Sequence, residues 1–249
     1  MALLEARALC KRYGGLVAVD AVTLAVEPLT VTALIGPNGA GKTTFFKMLA
    51  GEVRPSSGEV YFKGQNITGI GATRTVQRGI AKSFQITQIF PKLTVEENVL
   101  VPALAAKRGS FRMDMLGALR GAKTAYQIVE RVLEQVELSA RRHFRADNLS
   151  YGEKRRLEVA LALATEPEVL LLDEPAAGMS HEETHATVEL LKTLRSSVTI
   201  VIVEHDMDVV FGLADRIVVL QDGHLIAEGT GEEIRLNPKV QEAYLGGIE

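Results

Sequence analysis

The sequence predicts an α/β fold built on a largely parallel, buried sheet, and three observations predict it. Short apolar, β-branched runs alternate with helical patterns along the chain. One such run leads into a glycine-rich loop, Gly36 to Thr44. Another ends in two adjacent carboxylates, Asp173 and Glu174. Strands that are apolar throughout, rather than on alternate positions, suit a sheet covered on both faces.

Taken in order, residues 3–9, 21–26, 31–35 and 59–62 read as strands, and Arg54-Pro55-Ser56-Ser57-Gly58 reads as a turn. Residues 43–49 lack breakers and read as a helix. From about 96 to 164 the pattern is mostly helical, with Ile128, Val129, Val132, Leu133 and Val136 at helical spacing. Residues 107–121 are richer in Gly, Arg and Met and are expected to form a loosely ordered insertion. Strands return at 169–172, 198–203 and 217–220, separated by helices such as 182–194. There is no internal repeat.

Composition sets the bounds. A chain of 249 residues makes one large domain or two small ones. It can bury roughly 70–75% of its unfolded surface and needs no staples. The net charge of −3 gives no bulk basic character, so nucleic acid is not expected as a partner. A single cysteine, Cys10, rules out an intramolecular disulfide and fits a reducing compartment. Residues 1–7 contain Glu5 and no long apolar core, so no signal peptide is expected. No uncharged apolar run approaches the length of a membrane span, so any membrane role runs through another subunit.

The loop Gly36-Pro37-Asn38-Gly39-Ala40-Gly41-Lys42-Thr43-Thr44 fits G-x-x-x-x-G-K-[ST]. Small residues let the backbone curl so that successive N–H groups point at phosphate oxygens. The helix N-terminus adds partial positive charge, Lys42 adds a full one, and the Thr43 hydroxyl can bind Mg2+. Out of context this is a glycine turn before a surface lysine; the strand before it and the helix after it favour phosphate.

The acidic strand end has a similar logic. Ligands gather at the C-terminal ends of parallel strands. Asp173 can therefore reach a metal directly or through water, and Glu174 can polarise an attacking water. Alone, the pair would simply cap a turn. Farther upstream, Leu149-Ser150-Tyr151-Gly152-Glu153 opens a helix with Ser150 and Glu153 in a capping box. It reads either as a well-capped helix or as a second phosphate site using Ser150 and the Gly152 N–H. His181-Glu182-Glu183-Thr184-His185 matches the H-E-x-x-H zinc pattern, with Glu204 as a third ligand candidate. Residues 198–203 are strongly β-branched, so Glu204 ends a strand rather than lying on a helix, and zinc is not expected.

These motifs and their order resemble the ATPase subunits of ATP-binding-cassette transporters, over essentially the whole chain. The order is phosphate loop, Gln85, Leu149-Ser150-x-Gly152, Asp173-Glu174, then His205. The resemblance implies a RecA-like core made of residues 1–85 and 164–249. An N-terminal antiparallel β portion belongs to it, and a helical subdomain is inserted at 86–163. ATP is then held by Gly36 through Thr44, with Tyr13 stacking on adenine. Lys42, Gln85, Glu174 and His205 are catalytic: Glu174 as general base, Gln85 as the residue that senses the γ-phosphate, and His205 as the γ-phosphate switch. Mg2+ falls to Thr43, Gln85 and Asp173. Ser150 and Gly152 form the signature that meets ATP on a facing subunit, and Ala177-Gly178-Met179-Ser180 takes the place of the dimer-contact loop. Tyr151 and Glu153 replace a glycine and the glutamine of the family's usual L-S-G-G-Q.

A closer resemblance is to the larger ATPase of branched-chain amino acid importers. It rests on residues 14–20, 149–153, 173–179 and 237–246, and on the 64 positions between Gln85 and Leu149. It implies a homodimer or a heterodimer with a sister ATPase, two integral-membrane permeases, a periplasmic binding protein, and a peripheral location on the cytoplasmic face of the inner membrane. Importers of urea, amides or aromatic acids and the lipopolysaccharide-export ATPase share much of this pattern. A soluble cassette ATPase and a non-hydrolysing nucleotide scaffold are the alternatives from other classes.

Overall fold

The computed structural model describes residues 2–83, 89–107 and 115–245. Two long strands, β1 (Leu4–Tyr13) and β2 (Leu16–Val26), open the chain as a hairpin. Both run farther than the expected 3–9 and 21–26: β1 continues to Tyr13, and β2 begins at the apolar run Leu16–Val19. Gly14-Gly15 closes a two-residue turn with Tyr13 opposite Leu16, so pairing continues through the polar residues Lys11 and Arg12. Ala8 and Ala21, both at positive φ, mark irregularities in this ladder. Then come β3 (Val31–Ile35), α1 (Lys42–Leu49), β4 (Ser57–Phe62), β5 (Gln65–Asn66), α2 (Ala72–Gln77) and β6 (Ile80–Lys82).

Three helices follow: α3 (Val95–Lys107), α4 (Met115–Gln135) and α5 (Tyr151–Leu163). Two single-turn 3-10 helices, Ser139–Arg141 and Ala146–Asn148, lie between α4 and α5. Helix α4 already covers residues from Met115 onward, so that part of the expected loose insertion is helical. Residues 108–114 of that stretch lie outside the described residues. The chain closes with β7 (Val169–Asp173), α6 (His181–Leu194), β8 (Thr199–Val203), α7 (Met207–Leu213), β9 (Arg216–Gln221), β10 (His224–Gly229), α8 (Gly231–Arg235) and α9 (Pro238–Leu245).

The strands form two sheets, ordered β2-β1-β4-β5 and β10-β9-β3-β8-β7-β6. The first is antiparallel. In the second, β9, β3, β8, β7 and β6 are mutually parallel. Only β10 runs against its neighbour. Its hairpin turns at Asp222-Gly223, both at positive φ, a turn signal that apolar patterning alone passes over.

Every residue of β3, β7 and β8 is buried, because each face of the parallel sheet has its own cover. Val31, Ala33 and Ile35 pack on one side, in a core shared with α3, α4, α5 and α6. Leu34 packs on the other, against Phe45 and Phe46 of α1 and the apolar face of the antiparallel sheet. Period-two alternation along β3 thus joins two cores through one strand. The expected stripe Ile128, Val129, Val132, Leu133 and Val136 is buried throughout.

Candidate functional site

The phosphate loop leaves the C-terminal end of β3 and re-enters the fold as α1. Gly36 and Gly41 sit at φ +146° and +93°. A Cβ on Gly36 would run into the Leu220 carbonyl oxygen of β9, and one on Gly41 into the Ala18 carbonyl oxygen of β2. Only glycine fits at both positions. Helix α1 carries no side-chain cap, so the N–H groups of its first turn are open to an anion. Lys42 Nζ donates to the carbonyls of Gly36 (2.6 Å) and Pro37 (2.9 Å), which holds the ammonium across the loop. Partial burial depresses its pKa, while the nearby carboxylates of Glu174 and Asp173 pull it back up.

Sheet register brings the acidic pair to the same edge. Leu34 of β3 and Asp173 of β7 both pair with Val203 of β8, so the three strands end flush. Asp173 is 3% exposed, and among the described residues neither carboxylate oxygen has a hydrogen-bond partner. Its pKa is raised, chiefly by burial, with Lys82 opposing the shift. A buried carboxylate with both oxygens unpaired fits a hard divalent cation or one of its waters, and the Thr43 hydroxyl offers the same chemistry from α1.

Glu174 leaves β7 in the left-handed region, φ +50°, and its N–H donates to the Val203 carbonyl (2.9 Å). Its Oε1 lies 3.8 Å from His205 Nδ1. Gln85 lies outside the described residues, though Ser83 just before it is tied by its N–H to Leu171 O (2.8 Å). Tyr13 stands half exposed at the tip of the hairpin whose Ala18 abuts Gly41.

Ser150 caps α5 in a full capping box with Glu153, as its spacing predicts, and Ser180 caps α6 with Glu183. The contacts of this region lead away from the phosphate loop. Tyr151 Oη donates to Ala177 O (2.8 Å), and the Gly152 N–H donates to Glu183 Oε1 (3.3 Å). The tyrosine that replaces a signature glycine therefore ties the start of α5 to the loop after Glu174. Glu183 of the H-E-x-x-H stretch is used for capping, and Glu204 for backbone contacts at the end of β8.

Two features escaped the sequence. Asn98 is fully buried, and its amide bonds both the N–H and the carbonyl of Phe90 (2.7 and 3.0 Å), pinning that segment to α3. Its helical position gave no sign of this. A cavity of about 580 Å3 opens between the sheet edge and the helices, lined by Glu52, Ile80, Lys82, Phe90, Pro102 and Glu158 among others.

Comparisons with known proteins agree with this geometry. A family model described as ABC transporter matches residues 19–177. A second, described as branched-chain amino acid ATP-binding cassette transporter, matches residues 224–249. The chain belongs to the ABC transporter family and is a P-loop ATPase cassette. Among its relatives is the high-affinity branched-chain amino acid transport ATP-binding protein LivG of Escherichia coli, 39% identical with 98% of each chain covered. BraF of Pseudomonas aeruginosa, of the same description, is 40% identical with 98% of each covered. A solved ATP-binding cassette of an ABC transporter in its ADP conformation superposes with TM-score 0.85 at 31% identity, covering 99% of both chains. A dimeric cassette in a post-hydrolysis state with ADP and Pi gives TM-score 0.76 at 25% identity, covering 92% of this chain and 98% of that one.

The raised pKa of Asp173 has a consequence for stability. A carboxyl whose folded pKa lies above its unfolded value stabilises the fold below the unfolded value. That contribution is lost as pH rises through the folded one. Once ionised, the buried carboxylate weighs against the fold. Asp173→Asn should therefore melt at the same or a higher temperature without nucleotide, and should lose the upward shift that MgATP gives the wild type. Thermal melts with and without MgATP check this; a wild-type MgATP shift in the variant would contradict the assignment.

Proposed function

We propose that this chain hydrolyses ATP to drive import of branched-chain amino acids through two separate permease subunits. It would do so as one of two facing cassettes on the cytoplasmic side of the membrane. The observation that carries the ATPase reading is the flush alignment of the phosphate loop, Asp173-Glu174 and His205 at one edge of the parallel sheet. The substrate reading rests on the described function of LivG and BraF and on the match at residues 224–249. Among the described residues no helix is long and apolar enough to cross a membrane, which leaves translocation to other subunits.

In this reading the N–H groups of residues 36–44 and the Lys42 ammonium bind the phosphates, and Tyr13 stacks on adenine. Thr43, Asp173 and Gln85 would hold Mg2+, which supplies positive charge to the phosphate oxygens when bound. Glu174 accepts a proton from the attacking water, and His205 orients the transferred phosphoryl. Such chemistry is mostly positioning and charge stabilisation. Ser150 and Gly152 contact nucleotide on the facing cassette. A periplasmic binding protein would deliver the solute.

Two outcomes follow. Glu174→Gln should bind ATP but turn it over on the order of 10²–10⁴-fold more slowly, the usual worth of a general base. Trapped ATP should shift the chain from monomer toward dimer, by size measurement with and without MgATP; a chain that stays monomeric even beside its sister ATPase contradicts the facing arrangement. Phe90 is half exposed on the rim of the 580 Å3 cavity, the groove read here as the seat of a permease helix. Phe90→Asp should leave ATP turnover of the isolated subunit nearly intact and uncouple it from leucine uptake in the reconstituted complex. Unchanged leucine transport would overturn the groove assignment; transport of only urea, an amide or a lipid would overturn the substrate reading.

A further inference from the structure

Glu204 is a charged side chain with 1% exposure that neither the sequence motifs nor the reaction accounts for. Burying a carboxylate is expensive unless strong donors surround it. Here the donors are backbone N–H groups from two different loops. Oε1 accepts from Ala176 N (3.0 Å), in the loop after Glu174. Oε2 accepts from His205 N (3.0 Å), with Asp206 N at 3.4 Å. His205 Nδ1 stands 3.8 Å from the same oxygen. Alongside runs the bond from Glu174 N to Val203 O (2.9 Å). Glu174 itself is held at φ +50°, a conformation a non-glycine residue keeps only when its surroundings impose it.

We propose that Glu204 is a positioning residue for hydrolysis: one buried carboxylate that clamps the loop carrying Glu174 to the backbone carrying His205. The proposal rests on the reading of those two residues as the hydrolytic pair. Two acceptor oxygens are needed because two loops must be held at once. A glutamine has the same shape but turns an NH2 toward one of the N–H donors, so one loop is released. A loop shift of that kind displaces the general base without touching the phosphate loop.

The test uses the purified full chain, with MgATP as the probe. Glu204→Gln should lower kcat by about tenfold to hundredfold while KM and the affinity for a fluorescent ATP analogue stay within about twofold. Glu204→Asp, which keeps charge and both acceptors, should recover part of the loss. In a His205→Ala background, Glu204→Gln should add less than about threefold, because the two act through one arrangement. Wild-type kcat in Glu204→Gln overturns the proposal, and so does a loss that multiplies fully with His205→Ala. If Glu204→Gln does not fold, hydrogen exchange in the wild type decides: Ala176 and His205 amides should exchange slowly and together, and rapid exchange of either overturns the clamp. Should Glu174→Gln and His205→Ala themselves leave kcat unchanged, the hydrolytic reading fails first, and the clamp falls with it.

Discussion

The structure depends on the register of three parallel strands. Because Leu34 and Asp173 both pair with Val203, the ends of β3, β7 and β8 finish at one level, and everything they release emerges on one edge. A two-residue slip of β7 would carry Asp173 along the strand axis by roughly 6–7 Å. Complete burial of all three strands resists such a slip, since it would drag apolar residues out of both cores. Backbone contact sharpens the alignment further, because Gly36 and Gly41 lie so close to β9 and β2 that no side chain fits.

On this edge the electrostatics are left deliberately unbalanced within the fold. Asp173 is buried without a hydrogen bond, Lys42 is depressed by the same burial, and the first turn of α1 has no cap. Each is unfavourable in isolation, and in the proposed reading a phosphate–metal ligand would relieve all three. Around them Glu204, Ser150 and Ser180 all have hydrogen-bond partners. Tyr151 and Glu183 extend that frame from the loop after Glu174 and the start of α6 to the start of α5, so these segments are mechanically joined.

Much of this was legible beforehand, and for a physical reason. Phosphate binding needs glycines, a lysine and a hydroxyl at fixed spacing, so residues 36–44 announce themselves. Fully buried strands leave unbroken apolar runs, which is why β3, β7 and β8 were found within a residue. The capping box at Ser150 is local, and it holds. What could not be read depends on tertiary contact. The end of β1 is polar at Lys11 and Arg12, and it pairs with Val17 and Val19 at the start of β2 across the Gly14-Gly15 turn. Asn98 and Glu204 look like ordinary polar residues until the fold wraps backbone around them. Glu204 even lent itself to a zinc pattern, because its spacing was visible and its donors were not.

Hydrolysis of ATP by the strand-end cluster is open to direct measurement. Phosphate release from MgATP by the purified chain and by Lys42→Ala tests it most directly. The wild type should show measurable turnover, and the variant none, together with weakened nucleotide binding. Hydrolysis by Lys42→Ala at the wild-type rate would contradict it.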